Sequence, residues 1–126
     1  MSPRKQVIER YIDGFRRTDH AQILSCLTDD IVWELHGHKT VRGRAAFDAE
    51  IENDFFEGQP TLEIFRMIEE GDAVAVTGGG RVRQKGGEVL GFVFSEVFHF
   101  AGNLVNRLET YHVWTPAAEK PMEIKS

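Results

Sequence analysis

The order of its sequence patterns predicts an α+β fold: helices first, with one early strand among them, then a long, strongly curved, mostly antiparallel sheet wrapped around three N-terminal helices as a cone. Three observations predict it. Apolar residues recur at helical spacing through the opening of the chain. From Thr61 onward the chain is nearly all strand-like, broken only by short gaps that suit hairpins. Gly78-Gly79-Gly80 then falls in mid-strand and Gly91 in the next strand, where a curling sheet needs a bend or bulge; the plainer alternative is that the three glycines form a loop.

Ser2 as N-cap with Pro3 in the first turn starts the first helix, which buries Val7, Ile8, Tyr11, Ile12 and Phe15 and runs to about Arg17. Asp19 caps a short second helix carrying Ile23, Leu24 and Leu27. Thr28-Asp29-Asp30 reads as a turn, and Ile31 to His36 alternates as a strand. A third helical pattern spans Gly43 to Phe56, with Phe47, Ile51 and Phe55 along one side, and Gly58-Gln59-Pro60 ends it. Strands follow at Thr61 to Ile68, Ala73 to Arg83, Glu88 to Phe100 and Leu104 to Trp114. Residues 1–115 read as one domain and 116–126 as a flexible C-terminal tail.

At 126 residues the chain can bury a core without staples. A net charge of -5 and scattered basic residues argue against a nucleic-acid partner. No apolar run approaches a membrane span, and Met1 to Lys5 lacks the apolar stretch of a signal peptide, so a cytoplasmic protein is expected. The one cysteine, Cys26, excludes an intramolecular disulfide and a cysteine-rich metal site.

Strand parity locates the chemistry. Leu90, Phe92, Phe94, Glu96, Phe98 and Phe100 share one face of their strand, so Glu96 sits among phenylalanines, where a charge is costly unless paired or neutralised. A turn at Ala101-Gly102 or Gly102-Asn103 puts Glu96 opposite Arg107 or Glu109, turning Arg107, Glu109 and Tyr111 inward with it. A one-residue change in the loop would instead turn Leu104, Asn106, Leu108, Thr110 and His112 inward. In the first arrangement the interior holds two carboxylates and an arginine. That is either a buried salt bridge or a site whose crowding raises the pKa of one acid, which can then donate a hydrogen bond to an oxyanion.

Arg10-Tyr11-Ile12-Asp13, Asp19, Ile23, Asp29-Asp30, Gly43-Arg44 and Phe98-His99-Phe100 with Gly102 together resemble the ketosteroid isomerases and the SnoaL-like polyketide cyclases, within the wider nuclear transport factor 2-like group of cystatin-like rolls. The resemblance spans nearly the whole chain, and its motifs are short. It implies that the family's oxyanion-binding tyrosine falls on Tyr11 and its protonated acid on Glu96. The family's general-base aspartate falls on Leu35, a hydrocarbon that cannot move a proton. Glu34 and His36 flank it, but Ile31, Trp33 and Leu35 form the apolar face and direct Glu34 and His36 away.

Several functional classes fit this pattern. One is a cofactor-independent isomerase, dehydratase or cyclase acting on a small apolar carbonyl compound, with Tyr11 and Glu96 stabilising an enolate. Its base would be Glu34, His36, Glu109 or His112. A second is epoxide hydrolase-like water activation by the Glu96, Arg107 and Glu109 trio. A third is a non-catalytic module that binds a small apolar ligand or forms a homodimer, the dimer covering the apolar outer face of Val89, Val93 and Val97. Trp33, Leu35, Phe92, Phe94, Phe98 and Tyr111 are the expected pocket walls. His36, His38, His99 and His112 do not converge as zinc requires, so they are read as exposed and no metal is expected. No cofactor is expected either, since no glycine-rich phosphate loop opens a helix.

Overall fold

Ser2 accepts a hydrogen bond from the Lys5 amide at 3.2 Å, and Pro3 has no amide that needs a partner. Helix α1 therefore starts cleanly and runs Pro3–Arg17 in the computed structural model, which describes residues 1–115. The tail expected at 116–126 lies outside the described residues. Thr18 ends α1 in the left-handed conformation, φ 52°. Asp19 then caps α2 (His20–Leu24) by accepting from the Gln22 amide at 3.0 Å.

The elements that follow are β1 (Leu27–Leu35), β2 (Lys39–Arg42), α3 (Arg44–Ile51), β3 (Phe56–Glu70), β4 (Ala73–Gln84), β5 (Val89–Ala101) and β6 (Leu104–Thr115). One six-stranded curved sheet takes the order β2-β1-β6-β5-β4-β3, antiparallel except where β1 runs parallel to β6. Its concave face packs on the helices over a core that includes Ile8, Ile23, Ile31, Phe47, Phe98 and Leu108, all fully buried. Gly78 to Gly80 lie within β4, not in a loop.

Two expectations about boundaries are corrected, and a short strand that periodicity did not mark is added. Thr28-Asp29-Asp30 belongs to β1; its pairing with β6 jumps from Leu27–Val105 to Val32–Arg107, so this stretch is an irregular strand and not a turn. Lys39-Thr40 opens the short strand β2, which pairs back on β1. Helix α3 ends at Ile51, well before Phe56. There Asn53 Oδ1 accepts from the Phe55 amide at 2.8 Å, a local side-chain bond that competes with helix continuation. Phe55 is left 74% exposed, and Gly58-Gln59-Pro60 enters the edge strand β3 as a pairing irregularity between Glu57 and Thr61.

Candidate active site

The geometry of the site is decided by one residue of β6. The hairpin turn is Gly102-Asn103, since Ala101 pairs with Leu104 and Phe100 with Val105. The next pair, however, is His99 with Arg107, so Asn106 has no partner and forms a bulge. The bulge advances the register by one position. Glu96 consequently faces Thr110, and Leu108 and Thr110 are buried while Arg107 and Tyr111 are exposed. The expectation that Arg107, Glu109 and Tyr111 point inward with Glu96 is overturned for this reason; the alternative parity holds only beyond the bulge, for Leu108, Thr110 and His112, while Leu104 and Asn106 are exposed and Val105 is buried.

A cavity of about 710 Å³ opens between α1, the end of α3 and the concave face of the sheet. Tyr11, Glu96, Trp33, Leu35, Phe92 and Phe94 line it, joined by Thr110 and His112. Phe98 does not line it: the ring packs behind Tyr11, centroids 5.3 Å apart, because the core claims it first. Trp33 stacks on Phe47 at 4.6 Å, which fixes the indole on the cavity wall.

Trp33 Nε1 donates to Thr110 Oγ1 at 2.9 Å, and Thr110 Oγ1 donates to Glu96 Oε2 at 2.6 Å. Burial pushes the Glu96 carboxyl up to about 7, against a smaller opposing effect of the Thr110 hydrogen bond, which favours the ionised form. Burial, with the nearby Glu96 charge second and Cys26 third, also raises the Tyr11 phenol, which stays protonated and able to donate. His112 is partly open to solvent but packs on Phe92 at 5.0 Å and Trp114 at 4.4 Å, and burial lowers its pKa. A neutral imidazole can accept a proton. Thr110 was missing from the sequence-level site; its signal was the alternation Leu108, Thr110, His112, but no residue type marks Asn106 as a bulge.

The other half of the expected constellation stands on the outer face of the sheet. Arg107 donates to Glu34, Nε to Oε1 at 3.0 Å and Nη2 to Oε1 at 2.8 Å. Glu109 is held by His99 at 2.7 Å and His36 at 3.1 Å, so these histidines are engaged and not simply solvated. Those hydrogen bonds, His99 first, and the charge of Arg107 hold the Glu109 carboxyl below the usual range. Tyr111 stacks on His36 at 4.5 Å and is 48% exposed. Glu34, His36 and Glu109 could present ligand atoms within 4.8 Å of one another to a metal. Arg107 already supplies positive charge there, 3.6 Å from Glu109 Oε1. The arrangement is that of an ion-pair network. Glu96, Arg107 and Glu109 thus occupy opposite faces, and the water-activating trio does not assemble.

The SnoaL-like domain model matches residues 8–108. The chain belongs to the SnoaL-like family. No curated protein matches the sequence. Solved structures similar to it include an NTF2-like protein from Burkholderia pseudomallei, with TM-score 0.81 and 23% identity over 88% of this chain and 91% of the other. An LEH-like epoxide hydrolase from M. tuberculosis has TM-score 0.77 and 18% identity, covering 88% and 83%. A protein with ketosteroid isomerase-like fold from Catenulispora acidiphila, in complex with trimethylamine, has TM-score 0.75 and 14% identity, covering 83% of each. At these identities the likeness shows the fold: the SnoaL-like chain is an NTF2-like α+β cone. Among its described residues no helix is long and apolar enough to cross a membrane.

Proposed function

We propose that this SnoaL-like protein is a cofactor-independent acid–base catalyst acting on a small, largely apolar carbonyl compound. The observation that supports this reading is a buried carboxyl, Glu96, poised at about 7 on the wall of a cavity that also carries Tyr11 and His112. His112 takes the proton from the carbon next to the carbonyl. The electron pair moves onto the carbonyl oxygen, which accepts hydrogen bonds from Glu96 and Tyr11. Returning the proton to another carbon isomerises an unsaturated substrate; giving it to a departing β-hydroxyl expels water and dehydrates the substrate; attack of the enolate carbon on a second carbonyl, whose oxygen takes the proton, closes a ring. His112 takes the role that Leu35 cannot fill. A cytoplasmic setting accompanies this reading, in keeping with the single free cysteine, Cys26.

The test is deuterium exchange at the α-carbon of 1-indanone in D2O, followed by proton NMR. Wild type accelerates exchange, and Glu96→Leu and His112→Ala each slow it by about a hundredfold, the scale of one acid–base group. Absence of exchange with the folded wild type, across a panel of aryl and alkyl ketones, would sink the proposal.

A specific observation favours a second reading, a non-catalytic ligand-binding module: Leu35 lines the cavity where the family's base is expected. Ligand binding without exchange is its signature. A homodimer accompanies either reading, since the outer face leaves Phe65, Ile68, Tyr111 and Val113 between 39% and 60% exposed. Val113→Lys is expected to convert a dimer to monomer by analytical ultracentrifugation; a monomeric wild type rejects the dimer.

A further inference from the structure

We infer that Trp33 and Thr110 form a positioning relay that makes Glu96 Oε1 the oxygen that holds and presents a proton to the cavity. The inference rests on Glu96 working from the cavity wall, as proposed above. An indole N–H can only donate, so Trp33 fixes one lone pair of the Thr110 hydroxyl, at 2.9 Å. A hydroxyl has one proton, and that of Thr110 is directed at Glu96 Oε2, at 2.6 Å. Oε2 is thereby committed as an acceptor. A neutral carboxyl carries one proton, which falls to Oε1, and Oε1 has no protein partner among the described residues. Both relay residues are buried, Trp33 at 9% and Thr110 at 6% exposure, so water does not readily scramble the direction of the chain.

The two relay atoms come from different strands, β1 and β6, which run parallel and pair Trp33 with Leu108 and Glu34 with Glu109. The Asn106 bulge is what brings Thr110 to this register. Among the described residues, few other groups compete for the Glu96 proton. Tyr11 on α1 and His112 on β6 share the cavity, with Cys26 close to Tyr11. At the mouth are His36, His38, Glu52 and Glu57, and Lys39 is bonded to Glu50 at 2.6 Å. Neutral Glu96 therefore selects ligands that offer a hydrogen-bond acceptor, such as a ketone oxygen, directly in front of Oε1. The ionised form loses that preference.

The experiment is a carbon-13 NMR titration of the Glu96 carboxyl in wild type, Thr110→Val, Thr110→Ser and Trp33→Phe. Thr110→Val removes a donor to the ionised form and raises the midpoint by about one pH unit. Trp33→Phe removes the N–H that orients the Thr110 hydroxyl, so its proton is held less strictly on Oε2 and the midpoint shifts the same way by less, whereas Thr110→Ser stays near wild type. Alongside, binding of 1-indanone is compared with binding of indane at pH 6. The preference for the ketone falls about twofold in Thr110→Val, as the proton then divides between Oε1 and Oε2, and recovers in Thr110→Ser. A purely structural role for Thr110 lowers stability and moves neither readout. A Thr110→Val midpoint within about 0.2 unit of wild type, or below it, overturns the relay. Should Thr110→Val not fold, an unmoved midpoint in Trp33→Phe overturns it instead. Wild type binding ketone and hydrocarbon equally would instead sink the acid–base reading, and the titration would still decide the relay.

Discussion

The Phe94 ring occupies the place where Gly78 lacks a side chain: a Cβ built on Gly78 would stand 2.5 Å from Phe94 Cζ and 2.5 Å from the Glu63 carbonyl oxygen. Gly80 is closed in the same way by the Phe92 ring, 2.9 Å away, and by the backbone of Thr61. The glycines of β4 thus make room at once for two aromatic walls of the cavity and for the tight approach of β3.

Gly78→Ala is therefore expected to cost about 3 kcal/mol, the upper range for overpacking. Because the second obstacle is backbone, Phe94→Leu in the same chain should restore little of the loss. Urea denaturation of the single and double variants checks this. A double variant as stable as Phe94→Leu alone would show that only the ring was in the way.

Glu96 sets a pH dependence of stability with a definite sign. Its folded pKa, about 7, lies above the ordinary glutamate value of 4.5, so between these values the folded state binds the extra proton. The stabilising contribution is complete below about pH 4.5 and is lost as pH rises through 7. Glu96→Gln removes this dependence. The stability of Glu96→Gln relative to wild type should rise by about 3 kcal/mol between pH 4.5 and pH 8, the free energy of a shift of this size in a fully buried group. Denaturation midpoints that stay parallel across that range would contradict the placement of Glu96.

The face on which Glu96 lies was legible because Phe92, Phe94, Phe98 and Phe100 mark one face of β5 on both sides of it, so its parity could not slip. Tyr11 was legible for the same kind of reason, from the helical stripe of Val7, Ile8, Ile12 and Phe15. The partners of Glu96 were not. They depend on β6, whose two faces are both mixed: Arg107, Glu109 and Tyr111 on one, Leu108, Thr110 and His112 on the other. With such a pattern, one bulged residue decides which set enters the cavity, and Asn106 fits a regular strand as well as a bulge. The end of α3 was hidden differently, because apolar spacing runs on through Phe55 while Asn53 turns the chain by a local bond. Long-range register and short-range capping both outweighed periodicity.

His20 bridges α2 to α3, its Nδ1 2.6 Å from Asp48 and its Nε2 2.7 Å from Glu52. With a carboxylate at each nitrogen, the imidazole is held charged: the Asp48 hydrogen bond, then that of Glu52, raises its pKa. The resulting stabilisation is present below the ordinary histidine range and is lost as pH rises through the folded value. Both pairs are largely exposed, so each contributes about 0.5 kcal/mol. His20→Gln should flatten the pH dependence of stability on the alkaline side of 6.5. Glu52 also lines the mouth of the cavity, so hydrogen exchange at the C-terminal end of α3 should quicken in the same variant. Unchanged exchange there would separate this bridge from the cavity.

Arg107 gives the sharpest contrast between the two faces of the sheet. Its side chain is 46% exposed and bonded to Glu34 across the outer surface, where an ion pair contributes little. Arg107→Ala should therefore cost less than about 1 kcal/mol, a cost that shrinks further in high salt. The decisive readout is Glu96. Were Arg107 its partner, removing the guanidinium would take away a charge that favours the carboxylate, and the Glu96 midpoint would climb. With the bulge at Asn106 placing the two residues on opposite faces, the midpoint and the α-proton exchange of 1-indanone should both match wild type. A midpoint that rises in Arg107→Ala would return Arg107 to the cavity and reverse the register of β6.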